Sequence, residues 1–254
     1  MKRLRKIRYR LEHLGLRAGL RLIHLIPTRI SCALAGMIAD IAYLLLAKRR
    51  EIAIENIRLG DIAETHRAAS RIARASFRHF GVLVVEGLKA ESVITEENWE
   101  EFIDYAGVPN DVHQVMNDPK AGVILTTAHF GNWEVAAQVL SYMKPLVAIA
   151  RRMNNPYTDN LIQTRKTGHR FRMIPKHSAS GARLLEVLRN GEILAMLIDQ
   201  HAPRRGSVIE FLGRPASTHA SAGLLHLRSG APICFGYCVR VNILNSLHYL
   251  LCCV

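Results

Sequence analysis

From residue 121 onward the sequence alternates two rhythms, and that alternation constrains the fold more than any other feature. Short β-rich apolar runs stand at 122–128 (GVILTTA), 146–150 (LVAIA), 171–175 (FRMIP), 192–198 (EILAMLI) and 232–241 (PICFGYCVRV). Helical stretches lie between them, at 132–142, 156–169, 179–189 and 217–229. Strand alternating with helix predicts an α/β fold with a largely parallel central sheet flanked by helices. The 254 residues, 49% of them hydrophobic, suffice for one large domain with a full core and exclude global disorder. In such sheets sites gather at the carboxyl ends of the strands. His129, Arg151, Lys176 and Asp199 each directly follow a strand run.

The start of the chain obeys a different rule. MKRLRKIRYR is basic, and His13, Arg17, Arg21 and His24 recur at steps of four, four and three, one polar stripe of a helix. Leu14, Leu16, Leu20, Leu22, Ile23, Leu25 and Ile26 fill the remainder, and Pro27 ends the segment. This is the pattern of a basic amphipathic helix lying among lipid headgroups. An apolar run follows at 30–47, broken by Ser31 and Asp40 and closed by Lys48, Arg49 and Arg50. It is at the short limit for crossing a bilayer, which takes roughly 20 apolar residues. Asp40 at mid-run would cost about 3 kcal/mol in lipid. The expectation is a shallow or re-entrant anchor, and the flanking Lys and Arg place it on the cytoplasmic face.

Residues 51–90 read as helices, with Ile72, Phe77, Phe80 and Val84 at helical spacing; ESVITEENWEEFIDY reads as a short strand and turn. The expected division is therefore 1–50, membrane-associating helices, and 51–254, an α/β catalytic domain. Lys plus Arg number 34 against 21 Asp plus Glu, a net charge of +13, which implies an anionic partner. Aromatic residues make up only 6% and do not interleave with basic ones, which argues against nucleic acid. Five cysteines without a CxxC pair read as free thiols of a reducing compartment.

The chemistry concentrates in TTAHFGNWEV, where His129 comes off a strand run and Glu134 follows at a distance of five. On an unbroken helix that spacing separates two side chains by about 140°. A sharp turn at Gly131, before a helix led by Asn132, would instead fold Glu134 back toward the imidazole. A carboxylate beside an imidazole fixes its tautomer and strengthens it as a base. Such a base can take a proton from an alcohol, and N–H groups at the turn can stabilise an oxyanion. No serine or cysteine lies within the element, so direct attack by a substrate hydroxyl is simpler than a covalent intermediate. The spacing is not HExxH and no Cys/His cluster accompanies it, so no metal and no cofactor are expected. Arg151, Arg152, Arg204, Arg205 and Arg214 fall in loops after strands or beside an Asp-Gln pair, Asp199 and Gln200, where they could grip phosphate or an acidic protein. Asp199 is read as orienting Arg151 or the histidine.

The blocks GVILTTAHFGNWE, ARRMNNP, GEILAMLIDQ and GSVIEFLGRPASTHASAGLLHLRSGAPI occur in that order behind the amphipathic start. Together they resemble the lipid A biosynthesis acyltransferases, the late lauroyl/myristoyl transferases, within the wider glycerolipid acyltransferase group with its His-x4-Asp/Glu motif. The resemblance runs from about residue 5 to about residue 240. It implies an enzyme of the cell inner membrane with its site on the cytoplasmic face. It further implies acyl carrier protein as acyl donor and a hydroxyl of a lipid A precursor, an anionic glycolipid, as acceptor. A related group acylates phosphatidylinositol mannosides; a non-catalytic membrane-surface protein of the same fold is the other alternative. By the resemblance, His129 is the general base and Glu134 its partner, and Arg151, Asn155 and Pro156 match an R-x-x-x-N-P block. Asp199 and Gln200 match its DQ, and Gly206, Phe211, Gly213 and Thr218 the block after it. Arg151, Asp199, Gln200, Arg204, Arg205 and Arg214 are the expected substrate contacts. The ending NILNSLHYLLCCV departs from the family pattern and reads as a truncation or frameshift after about residue 240, which would leave a sheet edge or core face uncovered.

Overall fold

The apolar runs form strands where the alternation places them. The structure, a computed structural model, describes residues 2–166, 170–202, 206–241 and 247–253. After a two-residue β1 (Ile103–Asp104), the five expected strands are β2 (Val123–Thr127), β3 (Leu146–Ala150), β4 (Phe171–Pro175), β5 (Ile193–Leu197) and β8 (Ile233–Arg240). Four expected helices intervene: α6 (Trp133–Met143), α7 (Pro156–Lys166), α8 (Gly181–Arg189) and α9 (Ser221–Ser229); residues 167–169 lie outside the described residues. A short α5 (Asn110–Asn117) precedes β2.

With a last strand β9 (Tyr249–Cys253), strand order in the seven-stranded sheet is β1-β9-β8-β2-β5-β3-β4. Strands β8, β2, β5, β3 and β4 are mutually parallel. Strand β9 pairs antiparallel with β8, and β1 pairs parallel with β9. The departing ending therefore covers β8 rather than leaving it as an edge: Tyr249, Leu251 and Cys253 face the core in strict alternation, as a period-two pattern requires. All five cysteines are free.

Two apolar layers sandwich the sheet. One, beneath α5 and α6, is built on Val123, Leu125, Val135, Val139, Leu140, Ile193 and Leu251. The other, beneath α8 and α9, gathers Ile124, Val147, Ile174, Val187, Leu194 and Leu225. Residues of β2 divide alternately between the two, so both faces of the strand are buried, the condition for a parallel sheet.

A separate hairpin, β6 (Ser207–Phe211) and β7 (Arg214–Thr218), was not expected from the alternation. It turns through Leu212 (φ 50°) and Gly213 (φ 70°), two positive values in succession as a tight type I′ connection needs. The helix expected from 217 accordingly begins only at Ser221.

The N-terminal third is helical: α1 (Lys2–Leu25), α2 (Thr28–Leu45), α3 (Ala47–Leu59) and α4 (His66–Val93). The boundary expected at residue 50 falls inside α3, because α2 and α3 both pack along α4 through Tyr43, Ile54, Ala69 and Ala73. The buried stripe of α4 is Ala69, Ala73, Leu83, Glu86 and Ala90, whereas Ile72, Phe80 and Val84 are exposed. Small residues let α2 approach closely: a Cβ on Gly81 would lie 2.9 Å from the carbonyl of Ala35. Asp40 receives a bidentate pair from Arg74 (2.9 and 3.0 Å) and a third bond from Arg78 (2.8 Å). Asp40, the residue that made a clean span costly, is thus spent on holding α2 to α4.

Candidate active site

The site begins with the register of two neighbouring strands. Thr127 of β2 pairs with Leu197 of β5, and His129 and Asp199 each lie two residues further on. Equal offsets from the ends of adjacent parallel strands put the two side chains together above the sheet. Asp199 takes hold of the histidine twice: Oδ2 accepts from the His129 backbone N–H at 2.9 Å, and Oδ1 lies 2.9 Å from Nδ1. A carboxylate can only accept, so the imidazole proton sits on Nδ1 and Nε2 carries the free lone pair. The His129 side chain is 39% exposed, so this imidazole is reachable.

The turn after His129 is held in place from below. Gly131 has φ 63°, and a Cβ there would come within 2.1 Å of the carbonyl oxygen of Cys238 on β8, so no other residue fits. Asn132 donates its backbone N–H to the same carbonyl at 2.6 Å. Its side chain caps α6 by accepting from Val135 N–H at 3.2 Å, and its Nδ2 donates to Glu86 Oε2 at 3.3 Å. Glu86 is fully buried and pairs bidentately with Arg240, one of the two bonds at 2.8 Å. Glu86 and Arg240 support the site and escaped the sequence analysis; the signal was an acidic residue in the otherwise apolar FGVLVVEGL. The N–H groups of Asn132 and Val135 are occupied by these bonds, which removes both from the set expected to stabilise an oxyanion.

Glu134 stands in the first turn of α6, its Cβ 3.1 Å from where a Cβ on Gly87 would be. It lines the cavity that His129 lines, but the carboxylate on Nδ1 is that of Asp199. The expected pairing of Glu134 with the imidazole nitrogen is replaced here because a partner from the adjacent strand arrives in register. Trp133 stands edge-on to His129 at 5.1 Å between ring centroids, and the ring of Phe80 of α4 lies tilted by 32° beside Trp133 at 6.5 Å. A row of rings therefore connects α4 to the His129 imidazole.

The cavity beside His129 has a volume of about 670 Å³, within the ordinary range for small-molecule sites. Arg151, Lys176 and Gln200 line its polar mouth, with His219 just before α9 and Ser221 at its start; Leu140, Phe171, Met173 and Leu251 belong to its apolar part. Arg151 is exposed, one residue past β3. Arg214 is placed elsewhere: at the start of β7 its Nε donates to the carbonyl of Leu59 at 2.7 Å, tying the hairpin to α3. Arg204 and Arg205 lie outside the described residues. Asn155 proves structural. It caps α7 by accepting from Tyr157 N–H (3.0 Å), and donates to the Tyr9 carbonyl (2.9 Å) and Glu12 (3.0 Å) of α1. Pro156 supplies the first helical position, where its missing N–H costs nothing. Among the described residues no group of three or more His, Cys, Asp or Glu is placed to hold a metal ion.

No curated protein matches the chain. The family model described as bacterial lipid A biosynthesis acyltransferase matches residues 1–243, which include every element described above except β9. That match spans nearly the whole chain, and the chain belongs to the bacterial lipid A biosynthesis acyltransferase family.

Proposed function

We propose that the protein transfers a fatty acyl chain from acyl carrier protein to a hydroxyl of a lipid A precursor, with His129 as general base oriented by Asp199. The observation that carries this reading is the 2.9 Å contact between Nδ1 and Asp199, which leaves Nε2 free at the mouth of an apolar cavity. The acyl chain of the donor thioester occupies the apolar part of the cavity. Nε2 takes the proton of the acceptor hydroxyl as its oxygen attacks the thioester carbonyl. The C–S bond then breaks, and the imidazolium returns the proton to the departing thiolate. Arg151 and Lys176 at the mouth, together with the positive end of α6, favour the negative charge that develops on the carbonyl oxygen and on the anionic acceptor. Glu134 and Gln200 complete the polar rim as acceptor contacts.

The N-terminal layer supports a membrane setting on the cytoplasmic side of the inner membrane. Leu4, Ile7, Leu11, Leu14, Leu22 and Leu25 form an exposed stripe along α1 at helical spacing, in steps of three, four and eight. Among the described residues α2 is the one helix long and apolar enough to cross a bilayer, with mean hydropathy 1.4 over 18 residues. Its exposed face carries Leu34, Met37, Ile38, Ile41, Leu44 and Leu45. The decisive assay supplies acyl carrier thioester and lipid A precursor to the purified protein and follows the acylated lipid by mass spectrometry. Transfer to the lipid with no acyl adduct on the protein is the expected result. Hydrolysis alone, or an adduct that forms without acceptor, would count against direct attack.

A further inference from the structure

The apolar cavity beside His129 has a definite end, and the sheet register shows what makes it. At one level of the sheet, register partners run Met173, Ala148, Ala195, Leu125 and Cys234 across β4, β3, β5, β2 and β8. Paired residues of neighbouring strands point to the same face, and this face lies beneath α6. The two alanines leave a trough, and Ala136 and Ala137 of α6 keep its roof open. Larger side chains at these four positions would fill the space that the cavity occupies. The trough ends at Leu125. Leu140 of α6 and Leu251 of β9 join it there, and all three line both the main cavity and a second one of about 20 Å³ beneath α5. The second cavity is apolar, walled by Val112, Met116 and Cys253, and holds about one water-sized group. Gly236 sits at the same junction: a Cβ on it would lie 3.0 Å from Cys253 Sγ and 3.2 Å from Leu125 Cδ1. The partition is therefore one side chain thick and closely packed.

We propose that Leu125, Leu140 and Leu251 form the stop that sets the length of the acyl chain held beside His129. Leu251 belongs to β9, which lies beyond the family-matched residues. The inference rests on the acyl-transfer reading above. A chain whose terminal methyl just reaches the stop buries every methylene. A longer chain leaves some outside, and a shorter one leaves a void. Each methylene changes affinity about fourfold.

The test measures binding of saturated fatty acids, from octanoate to stearate, by displacement of a fluorescent fatty acid, and acyl transfer from donors of the same lengths. Leu251→Ala joins the two cavities and is expected to move the optimum to longer chains by one or two methylenes, with about fourfold discrimination for each. Leu251→Val should move it less in the same direction, and Leu251→Phe toward shorter chains. Val187→Ala, in the layer on the opposite face of the sheet, should leave the optimum in place and controls for general loosening. Should Leu251→Ala fail to fold, the opposite shifts of the Val and Phe variants carry the test. Transfer with one unchanged optimum in every folded variant would overturn the stop while leaving acyl transfer standing. Length-dependent binding that shifts as expected, without transfer to any lipid, would support the stop and overturn the transfer reading.

Discussion

The helical layer of α1 and α2 and the sheet that carries His129 use the same residue types in opposite ways. In the sheet, Ile124, Val147, Ile193 and Leu194 are fully buried, packed on both faces by helices. On α1 and α2, leucines and isoleucines at helical spacing face outward: Leu25 is 80% exposed and Leu45 76%. Contiguous outward apolar surface of this kind marks an interaction site rather than a core. The two regions are joined by α4, whose first half grips α2 through Ser70, Arg74 and Arg78. Its second half holds the site through Glu86, and accepts from Gln138 of α6 at the carbonyl of Ala90 (3.2 Å). One region turns its apolar side chains inward, away from water, and the other turns them outward. A single helix sets the distance between them.

The comparison breaks most sharply at the base. His129→Ala should cost ~10²–10⁴-fold in acyl transfer, with thermal unfolding and vesicle binding close to wild type. Asp199→Asn should fall by a similar factor, because an amide can present its N–H to Nδ1 and fix the wrong tautomer. Glu134→Ala should lower the rate too, as the loss of a carboxylate on the cavity wall. Near-normal turnover of His129→Ala would place the chemistry elsewhere.

Next in size is the support beneath the site. Removing one partner of a buried ion pair typically costs 3–5 kcal/mol, so Glu86→Ala should lower stability by about that much in urea unfolding. It should also reduce transfer by loosening Asn132. Replacing both partners, Glu86→Leu with Arg240→Met, should recover much of the stability. If the double variant is as unstable as the single one, the cost comes from packing and not from the orphaned charge.

The outward surface should respond in the reverse sense. Leu11→Glu or Ile38→Glu removes an apolar side chain worth ~2 kcal/mol of burial, roughly thirtyfold in affinity. Binding to anionic vesicles should weaken by that order, while unfolding midpoints stay nearly fixed, since surface substitutions shift stability little. Equal vesicle binding would detach these faces from any membrane role.

The smallest effect belongs to Asp40. Its hydrogen bond with Arg74, against some desolvation and with help from the charges of Arg74 and Arg78, holds the carboxyl below its ordinary range. A group depressed in the folded state stabilises above its unfolded pKa of about 3.9, and the contribution disappears as pH falls through the lower folded value. Asp40→Asn should therefore lower the melting midpoint slightly at neutral pH and leave it unchanged in strong acid. A difference that persists in strong acid would mean the side chain acts through shape.

What the sequence determined by itself is local and periodic. The five apolar runs became five strands: β2 and β5 at the centre are covered on both faces, while β4 and β8 nearer the edges mix buried with exposed residues. Gly131 and Asn132 made a turn and a cap, since only glycine tolerates that approach to Cys238 and the Asn132 side chain satisfies an open N–H. His129 at a strand end was legible for the same reason. The tertiary structure decided the pairings. Asp199, not Glu134, meets Nδ1 because β2 and β5 are neighbours in register, and strand order cannot be read from spacing along one chain. Arg214 went to Leu59 because an unexpected hairpin carried it there. The ending, which broke the expected pattern, became β9 because alternating Tyr249, Leu251 and Cys253 found an open edge on β8 and an apolar layer to cover. Period and turn chemistry act between residues a few positions apart; partners a hundred positions apart are chosen only when the sheet closes.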